Sequence, residues 1–269
     1  MLLPLSDAQK EEWAREGVLV LPQLLHSSIL APLMSELAEA VDTAAEAALK
    51  DGRLSAAAHQ EAMLQGFSTR LASLSRAMGE LPNHYPVLIQ DVVSKNNKSD
   101  AMFRLLTCPA ILDLVEQLIG GEILAHPQWN IRAPLPGDRG APWHQDINLL
   151  DPDCLHTPCV NLWIPLVDVT AGALQAIRGS NQYGILPFEH GEIPEAALPT
   201  GERVTCTIPA GGAAVTSQLT AHRSFDNEGD SVRWSMDIRY SVHGMPTGRD
   251  AVPGFVARSR SVAVCNNPS

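Results

Sequence analysis

The order of predicted elements places this chain in the α+β class, with helices in its first part and short strands after them. Over residues 1–121 apolar side chains recur at helical spacing, and from residue 122 short apolar runs alternate with turns that contain Pro and Gly. Helices followed by a run of strands are typical of a barrel with helices packed on one sheet. No repeat, low-complexity tract or linker divides the 269 residues. The sequence therefore predicts one domain, with helical support at 1–121 and a barrel at 122–269.

The helices are predicted from their caps and their apolar periodicity. Ser6 and Gln9 form a capping box, and Gly17 ends the helix that they begin. A short strand over residues 18–22 is expected next. Apolar residues three and four positions apart then predict three further helices, at residues 27–49, 99–106 and 109–119.

The strands are predicted from alternation of apolar and polar residues. The strand at 160–165 puts Asn161 and Trp163 on one face. A second strand is expected over residues 232–240, where one face carries Trp234, Met236, Ile238 and Tyr240 and the other carries Arg233, Ser235, Asp237 and Arg239. Arg233 is expected to point into the barrel, because a site inside a barrel is lined by polar groups. For Asp237 and Arg239 the ordinary solvent-facing orientation is expected.

Three pairs of a His and an acidic residue two positions later occur in the chain, and their surroundings distinguish them. His59 and Glu61 lie in a predicted helix, where residues two apart point to different sides. A second pair, at 190 and 192, lies in a loop bounded by Pro and Gly. His144 and Asp146 follow a turn-rich stretch, and in extended backbone their side chains share one face. This last pair is the candidate site.

A second His and an Arg complete the pattern further along the chain. His222 follows a strand of small residues, and Arg233 comes eleven positions later. Two His and one carboxylate that leave coordination positions open are typical of non-haem Fe(II) oxygenases. An Arg suits the same chemistry because its planar guanidinium pairs with a carboxylate co-substrate. The sequence therefore predicts a mononuclear iron site at His144, Asp146 and His222.

Composition narrows the partners and the compartment. A net charge of −11 argues against binding nucleic acid, which depends on basic clusters. The five cysteines are odd in number and spread out, so a disulfide framework is not expected, and reduced thiols suit the cytoplasm. The cluster of Cys154, His156 and Cys159 does not have zinc-site spacing, and loop or structural cysteines are expected there. The sequence contains no signal peptide, membrane span or peroxisomal tail.

Taken in order, several motifs resemble the phytanoyl-CoA dioxygenase family of Fe(II)/2-oxoglutarate oxygenases. The resemblance covers most of the chain, and its motifs are residues 5–22, His144-Gln145-Asp146, residues 160–168, residues 172–180, His222-Arg223-Ser224 and Ser231-Val232-Arg233.

The resemblance implies a fold, a set of site residues and cofactors. The fold would be a double-stranded β-helix, a jelly-roll barrel flanked by helices. His144, Asp146 and His222 would bind Fe(II), with O2 and 2-oxoglutarate as co-substrates. Arg233 would anchor the distal carboxylate of 2-oxoglutarate, with Ser224 and Trp163 lining the same pocket.

The chain departs from the family pattern near the expected substrate pocket. The turn at Val169–Gly172 is short, and Asn181 follows Gly179-Ser180 where the family usually has His. We therefore do not transfer phytanoyl-CoA as the substrate. The loop at 148–158 is the lid candidate by position, and Asn130 and Arg132 are candidates for contact with 2-oxoglutarate or substrate.

The function expected from the sequence is oxidation, above all hydroxylation, of an unactivated C–H bond in a small organic molecule, with release of succinate and CO2. Retention of Asp146 argues against halogenation, since related halogenases have a small residue there. Two alternatives stay open: a jelly-roll metal-binding or sensing protein without turnover, and a zinc-dependent hydrolase with the same three ligands. The substrate, the oxidation outcome and the choice between monomer and homodimer are left open by the sequence.

Overall fold

The helical part of the chain precedes the sheets, as the sequence predicts. The computed structural model describes residues 4–80, 87–147, 152–169, 174–249 and 251–261. Within these ranges the first part contains one strand, β1 (Val18–Leu21), and seven helices: α1 (Asp7–Glu16), α2 (Ser27–Lys50), α3 (Ala56–Met63), α4 (Phe67–Ala77), α5 (Val87–Asn96), α6 (Asp100–Leu106) and α7 (Pro109–Ile119).

Local sequence determines where these helices begin and end. The capping box of Ser6 and Gln9 starts α1, and Gly17, at a φ of 70°, ends it in the left-handed region. Helix α2 buries its apolar stripe, which consists of Leu30, Leu33, Leu37 and Val41. Pro109 is at the N-terminus of α7, where its missing N–H is not needed. The predicted helices at 27–49, 99–106 and 109–119 are confirmed to within one residue at each end.

Two antiparallel sheets form the rest of the described chain. Their strands after β1 are β2 (Ile123–Ala125), β3 (Asn130–Arg132), β4 (Cys159–Pro165), β5 (Leu174–Ile177), β6 (Arg203–Cys206), β7 (Ala213–Ser217), β8 (His222–Ser224), β9 (Ser235–Val242) and β10 (Phe255–Arg258). The larger sheet has the order β1-β7-β4-β9-β2-β10, with β3 also paired to β9. The smaller sheet has the order β6-β5-β8. The fold is therefore a mixture of helices and antiparallel sheets.

The predicted strand at 232–240 begins later than expected. Strand β9 starts at Ser235, because the backbone N–H of Arg233 donates to Pro134 and not to a residue of β4. On the N-terminal side of Ser235, one hydrogen bond continues the pairing: the N–H of Leu166, just after β4, donates to the Trp234 carbonyl. Arg233 therefore lies just outside the strand on which the sequence placed it.

The helices cover one face of the larger sheet. Trp234 and the apolar residues of β9 are buried in the main core, and the Trp234 ring stacks on Phe67 of α4 at 4.8 Å between ring centroids. The opposite face of this sheet packs on the smaller sheet through an apolar cluster formed by Val18, Trp163, Leu174, Ala176, Cys206, Ile208 and Ala214. The two sheets thus face each other, and the polar face of β9 is turned towards the space between them.

Across the described ranges, none of the helices combines the length and apolar character needed to cross a bilayer.

The segment before His144 runs against β8. Ala141 and Ser224 pair through their backbones, and His144 and His222 exchange two backbone hydrogen bonds, with N···O distances of 2.9 and 3.0 Å. Gly140 permits this approach, because a Cβ on it would lie 1.9 Å from the carbonyl oxygen of Ser224. The smaller sheet therefore gains an additional edge segment from residues 140–144.

We predict that Gly140→Ala lowers the free energy of unfolding by about 1–3 kcal/mol, because the added methyl must displace either the 140–144 segment or β8. Urea unfolding of the metal-free protein measures this. Gly66→Ala is the control, because a Cβ at Gly66 meets nothing within 4 Å. Equal free energies of unfolding for the two variants would contradict the close approach.

Candidate active site

His144, Asp146 and His222 meet between the two sheets, and the backbone pairing of the two histidines brings them together. Their ring centroids are 4.2 Å apart, and His222 Nε2 lies 3.6 Å from Asp146 Oδ2. The potential metal-binding atoms of the three residues all lie within 4.8 Å of one another. In the part of the chain that the structure describes, this is the one such cluster of His, Cys, Asp and Glu. The three candidates identified in the sequence thus form one site.

A backbone carbonyl orients each imidazole. His144 Nδ1 donates to the Pro142 carbonyl at 2.7 Å, and His222 Nδ1 donates to the Thr220 carbonyl at 3.0 Å. A carbonyl can only accept, so Nδ1 carries a proton in both rings and Nε2 is the nitrogen left to face a metal. Burial, together with His222, lowers the pKa of His144 to about 4. His144 is therefore neutral at pH 7, the form that binds a metal.

The Asp146 carboxylate is held on both oxygens. Arg239 Nη2 donates to Oδ1 at 2.8 Å, and Asn161 Nδ2 donates to Oδ2 at 3.0 Å. Burial would raise the pKa of Asp146, but the Arg239 charge and the two imidazoles lower it to about 2. The carboxylate is therefore ionised across the physiological pH range.

The expectation that Arg239 faces solvent is wrong, because its side chain is 13% exposed and reaches Asp146. Asp237 lies on the same face of β9, but its side chain is 38% exposed. The alternation in the sequence already put them on the same face as Arg233, and a barrel interior required that whole face to turn inward. Sequence reasoning applied this rule to Arg233 alone and so missed Arg239.

Asn130 and Arg132, on β3, are also on this inner face. Asn130 is paired in register with Asp237, and Arg132 Nε donates to Asp237 Oδ2 at 2.7 Å. Burial raises the pKa of Asp237, and the Arg132 charge opposes this shift. The structure therefore places both candidates beside Asp237, with the Arg132 side chain largely exposed.

Ser224 and Arg233 line one cavity of about 760 Å³, together with residues 167–169 and the loop at 225–232. Arg233 donates to the carbonyls of Phe225 and Asp226, at 2.9 and 3.4 Å. Burial lowers the pKa of Arg233, an effect that Asp226 opposes. Trp163 packs in the apolar cluster between the sheets. Of the three pocket candidates from the sequence, the structure therefore joins Ser224 and Arg233.

Gln145, the residue between His144 and Asp146, does not join the metal-binding cluster but stabilises the segment that carries it. Gln145 donates from Nε2 to the Gly184 and Leu219 carbonyls, at 2.9 and 2.6 Å, and accepts from Leu186 N–H at 2.9 Å. These three bonds attach the loop after β5 and the loop before β8 to the segment that carries His144. No pattern in the sequence indicated this role.

The other candidate clusters lie apart from the site or carry unsuitable groups. His59 and Glu61 are on α3, and His190 lies in an exposed loop at a φ of 51°. Cys154 and Cys159 are buried and not joined in a disulfide, and burial raises the pKa of Cys159 to about 12. A thiol that stays protonated is a poor metal ligand.

The two candidate loops lie partly outside the described residues. Of the lid candidate at 148–158, residues 148–151 are not described, and a 3₁₀ turn occupies Pro152–His156. Of the short turn at 169–172, only Val169 is described, and it lines the cavity with Arg233.

Comparison with known proteins identifies the class of this site. The model of the phytanoyl-CoA dioxygenase (PhyH) family matches residues 13–235, so the chain belongs to this family. It is therefore an oxidoreductase of the Fe(II)/2-oxoglutarate-dependent dioxygenase class, whose cofactors are Fe(II), 2-oxoglutarate and O2. No protein in a search of curated sequences matches the chain significantly.

Solved structures share the fold at low sequence identity. The epimerase SnoN in complex with Fe³⁺, alpha-ketoglutarate and nogalamycin RO is 17% identical, with a TM-score of 0.57, over 98% of this chain and 91% of SnoN. EctD from S. alaskensis, with 2-oxoglutarate and 5-hydroxyectoine, is 20% identical, with a TM-score of 0.58, over 89% of this chain and 77% of EctD. The non-heme monooxygenase ThoJ with Ni is 21% identical, with a TM-score of 0.57, over 93% and 84%.

We predict that the metal-free protein loses stability as pH falls from about 6.5 to about 4. Burial, with the Arg239 charge, lowers the pKa of His126 to about 4, and burial lowers the pKa of His144 similarly. An unfolded chain protonates these groups near pH 6.5. The unfolded state therefore binds more protons in this window, and the stability present above pH 6.5 is lost towards pH 4.

Urea unfolding at pH 7, 6 and 5 measures this effect. His126→Gln is expected to flatten the pH dependence, whereas His243→Gln, at an exposed position, should leave it as in the wild type. A free energy of unfolding that does not change between pH 7 and 5 would rule out the burial of neutral histidines.

Proposed function

We propose that the protein oxidises, by hydroxylation above all, an unactivated C–H bond of a small organic molecule, with Fe(II) held by His144, Asp146 and His222. The observation that carries this proposal is the convergence of two oriented imidazoles and one carboxylate within 4.8 Å. Succinate and CO2 are the expected co-products.

The donor set fits Fe(II). Two neutral imidazole nitrogens and one carboxylate oxygen are the facial set found in non-haem iron oxygenases. The carbonyls of Pro142 and Thr220 accept from Nδ1 of each ring, so Nε2 is the nitrogen that each His presents to a metal. Asp146 is ionised and supplies the single negative charge of the set.

Arg233 and Ser224 are the proposed binding groups for the distal carboxylate of 2-oxoglutarate. The side-chain hydrogen bonds of Arg233 go to neutral backbone carbonyls, so its charge is available to a carboxylate. The cavity that they line, about 760 Å³, falls in the size range of small-molecule sites. We keep Trp163, Asn130 and Arg132 as proposed walls of the co-substrate pocket, because the faces of β4 and β3 that carry them are turned to the same inter-sheet space.

The residues around the proposed iron site then have defined roles. Bound Fe(II) with 2-oxoglutarate and O2 supplies the oxidising power for C–H cleavage. The protein orients these groups: Arg239 and Asn161 fix Asp146, Gln145 braces the segment that carries His144, and Gly140 allows that segment to reach β8. Retention of a carboxylate at Asp146 favours oxygenation over halogenation.

We infer that the two sheets are the walls of a jelly-roll barrel in a single domain. The strand order supports this, because β3-β9-β4-β7 in one sheet faces β6-β5-β8 and the segment at 140–144 in the other. With the segment at 140–144 counted as a strand, the eight strands from β3 to β9 alternate between the two sheets in chain order, except that β5 and β6 are both in the smaller sheet. A double-stranded β-helix has this order. Residues 1–121 share the main core with the larger sheet, which supports one domain.

The proposed substrate is a small molecule of specialised metabolism. SnoN comes from nogalamycin biosynthesis, and the EctD structure holds 5-hydroxyectoine, so this fold serves small-molecule substrates in its structural relatives. The net charge of −11 does not favour nucleic acid as a partner. The four described cysteines form no disulfide, which supports a cytoplasmic location. The protein is proposed to act as a monomer or homodimer.

We predict a weak visible charge-transfer band when Fe(II) and 2-oxoglutarate are added to the apoprotein without O2. The band should be lost in His144→Ala, which removes a metal ligand. It should require about 10- to 100-fold more 2-oxoglutarate in Arg233→Ala, because a charge-assisted contact contributes about 1.5–3 kcal/mol. Anaerobic titration followed by absorption measures both effects.

Arg104→Ala, at an exposed position on α6, is the matched control and should titrate as the wild type does. A folded wild-type protein that binds Fe(II) but gives no band at saturating 2-oxoglutarate would refute the proposed function. A band would justify a substrate screen by succinate release.

A further inference from the structure

The Asp146 carboxylate has two oxygens, and the structure gives them different surroundings. Oδ2 accepts one hydrogen bond, from Asn161 Nδ2 at 3.0 Å, and lies 3.6 Å from His222 Nε2, so its second lone pair is on the side of the candidate metal. Oδ1 is engaged by Arg239 Nη2 at 2.8 Å. One oxygen is therefore turned to the metal position and the other is occupied by a guanidinium.

Arg239 is itself held in place. Its side chain is 13% exposed, and its other terminal nitrogen donates to Gln128 Oε1. The backbone carbonyl of Arg239 accepts from His126 N–H at 2.9 Å, which fixes the strand at this point. A guanidinium anchored at both ends cannot leave Oδ1 without breaking a second contact.

The number of metal-binding oxygens on Asp146 matters for the reaction. Three protein atoms on a six-coordinate iron leave three positions, of which 2-oxoglutarate takes two and O2 needs the third. If both oxygens of Asp146 bound the metal, only the two positions needed by 2-oxoglutarate would be left. The site would then bind its co-substrate but would have no open position for O2.

We infer that Arg239 is a positioning residue that restricts Asp146 to one metal-binding oxygen and so keeps a coordination position open. The inference rests on the proposed function, because it requires Fe(II) at His144, Asp146 and His222. It assigns a role to an inward-facing Arg that binds neither the metal nor the distal carboxylate of 2-oxoglutarate.

Nitric oxide is a probe for the open position, because it binds Fe(II) there and gives a characteristic electron paramagnetic resonance signal without turnover. In the protein loaded with Fe(II) and 2-oxoglutarate, Arg239→Gln should lower the affinity for nitric oxide about 10- to 100-fold, the usual effect of removing a partner of a metal ligand. The charge-transfer band should remain, because 2-oxoglutarate still has two positions. Arg239→Lys should fall between the Gln variant and the wild type, since an ammonium can occupy Oδ1 but lacks the fork that also reaches Gln128.

Arg258→Gln is the matched control. Arg258 is 16% exposed and also pairs with an aspartate at 2.8 Å, but that partner is Asp113, on α7. This variant should bind nitric oxide as the wild type does. A general loss of stability on breaking a half-buried Arg–Asp pair would affect both variants, whereas a positioning role affects only the Arg239 variants.

The outcomes separate the two proposals. If the wild type shows no charge-transfer band, the proposed function fails and the role of Arg239 fails with it. If the band is present and Arg239→Gln binds nitric oxide within about twofold of the wild type, the positioning role alone is overturned. If Arg239→Gln does not fold, infrared difference spectra of the wild type with and without Mn(II) decide. A wider splitting of the carboxylate stretches indicates one bound oxygen, and a narrower splitting, from two bound oxygens, overturns the inference.

Discussion

The backbone pairing of His144 with His222 is the interaction on which the candidate active site depends. Two hydrogen bonds join residues 78 positions apart in sequence, and the side chains on the same face of this pair are the two imidazoles. Asp146 enters the site because it follows His144 by two residues in extended backbone. The close approach at Gly140 and the three hydrogen bonds of Gln145 hold the same segment from its other sides. The arrangement of the candidate metal site is thus a consequence of strand pairing, and the positions of the three candidate ligands follow from it.

The space between the sheets is divided into an apolar part and a charged part. Trp163, Leu174 and Ala214 belong to the apolar cluster that holds the sheets together. The charged part contains two ion pairs, Arg239 with Asp146 and Arg132 with Asp237. A mostly buried carboxylate such as Asp146 is stable only when it is paired and hydrogen-bonded, which explains why Arg239 and Asn161 both donate to it. The Arg132–Asp237 pair lies nearer to solvent.

The two faces of the larger sheet have different roles, one in stability and the other in the candidate active site. One face packs on the helices and contributes fully buried side chains such as Trp234 and Tyr240 to the main core. The other face carries polar and charged groups into the site. The alternation of side chains along β9 allows one strand to serve both purposes, because successive residues point to opposite faces. The helical first part of the chain therefore supports the site without contributing any of the three candidate metal ligands.

The sequence by itself determined the helices, the order of helices before strands and the identity of the metal-binding candidates. Local signals were sufficient for these: caps and periodicity for α1, α2 and α7, and the spacing of His144, Asp146 and His222 within the family motif. Tertiary structure alone decided where β9 begins and which residues hold Asp146. Arg239, Asn161 and Gln145 act through partners far away in sequence, and their side chains look like ordinary surface residues until the sheets are paired. A contact between distant strands depends on register and on sheet packing, neither of which a single local pattern contains.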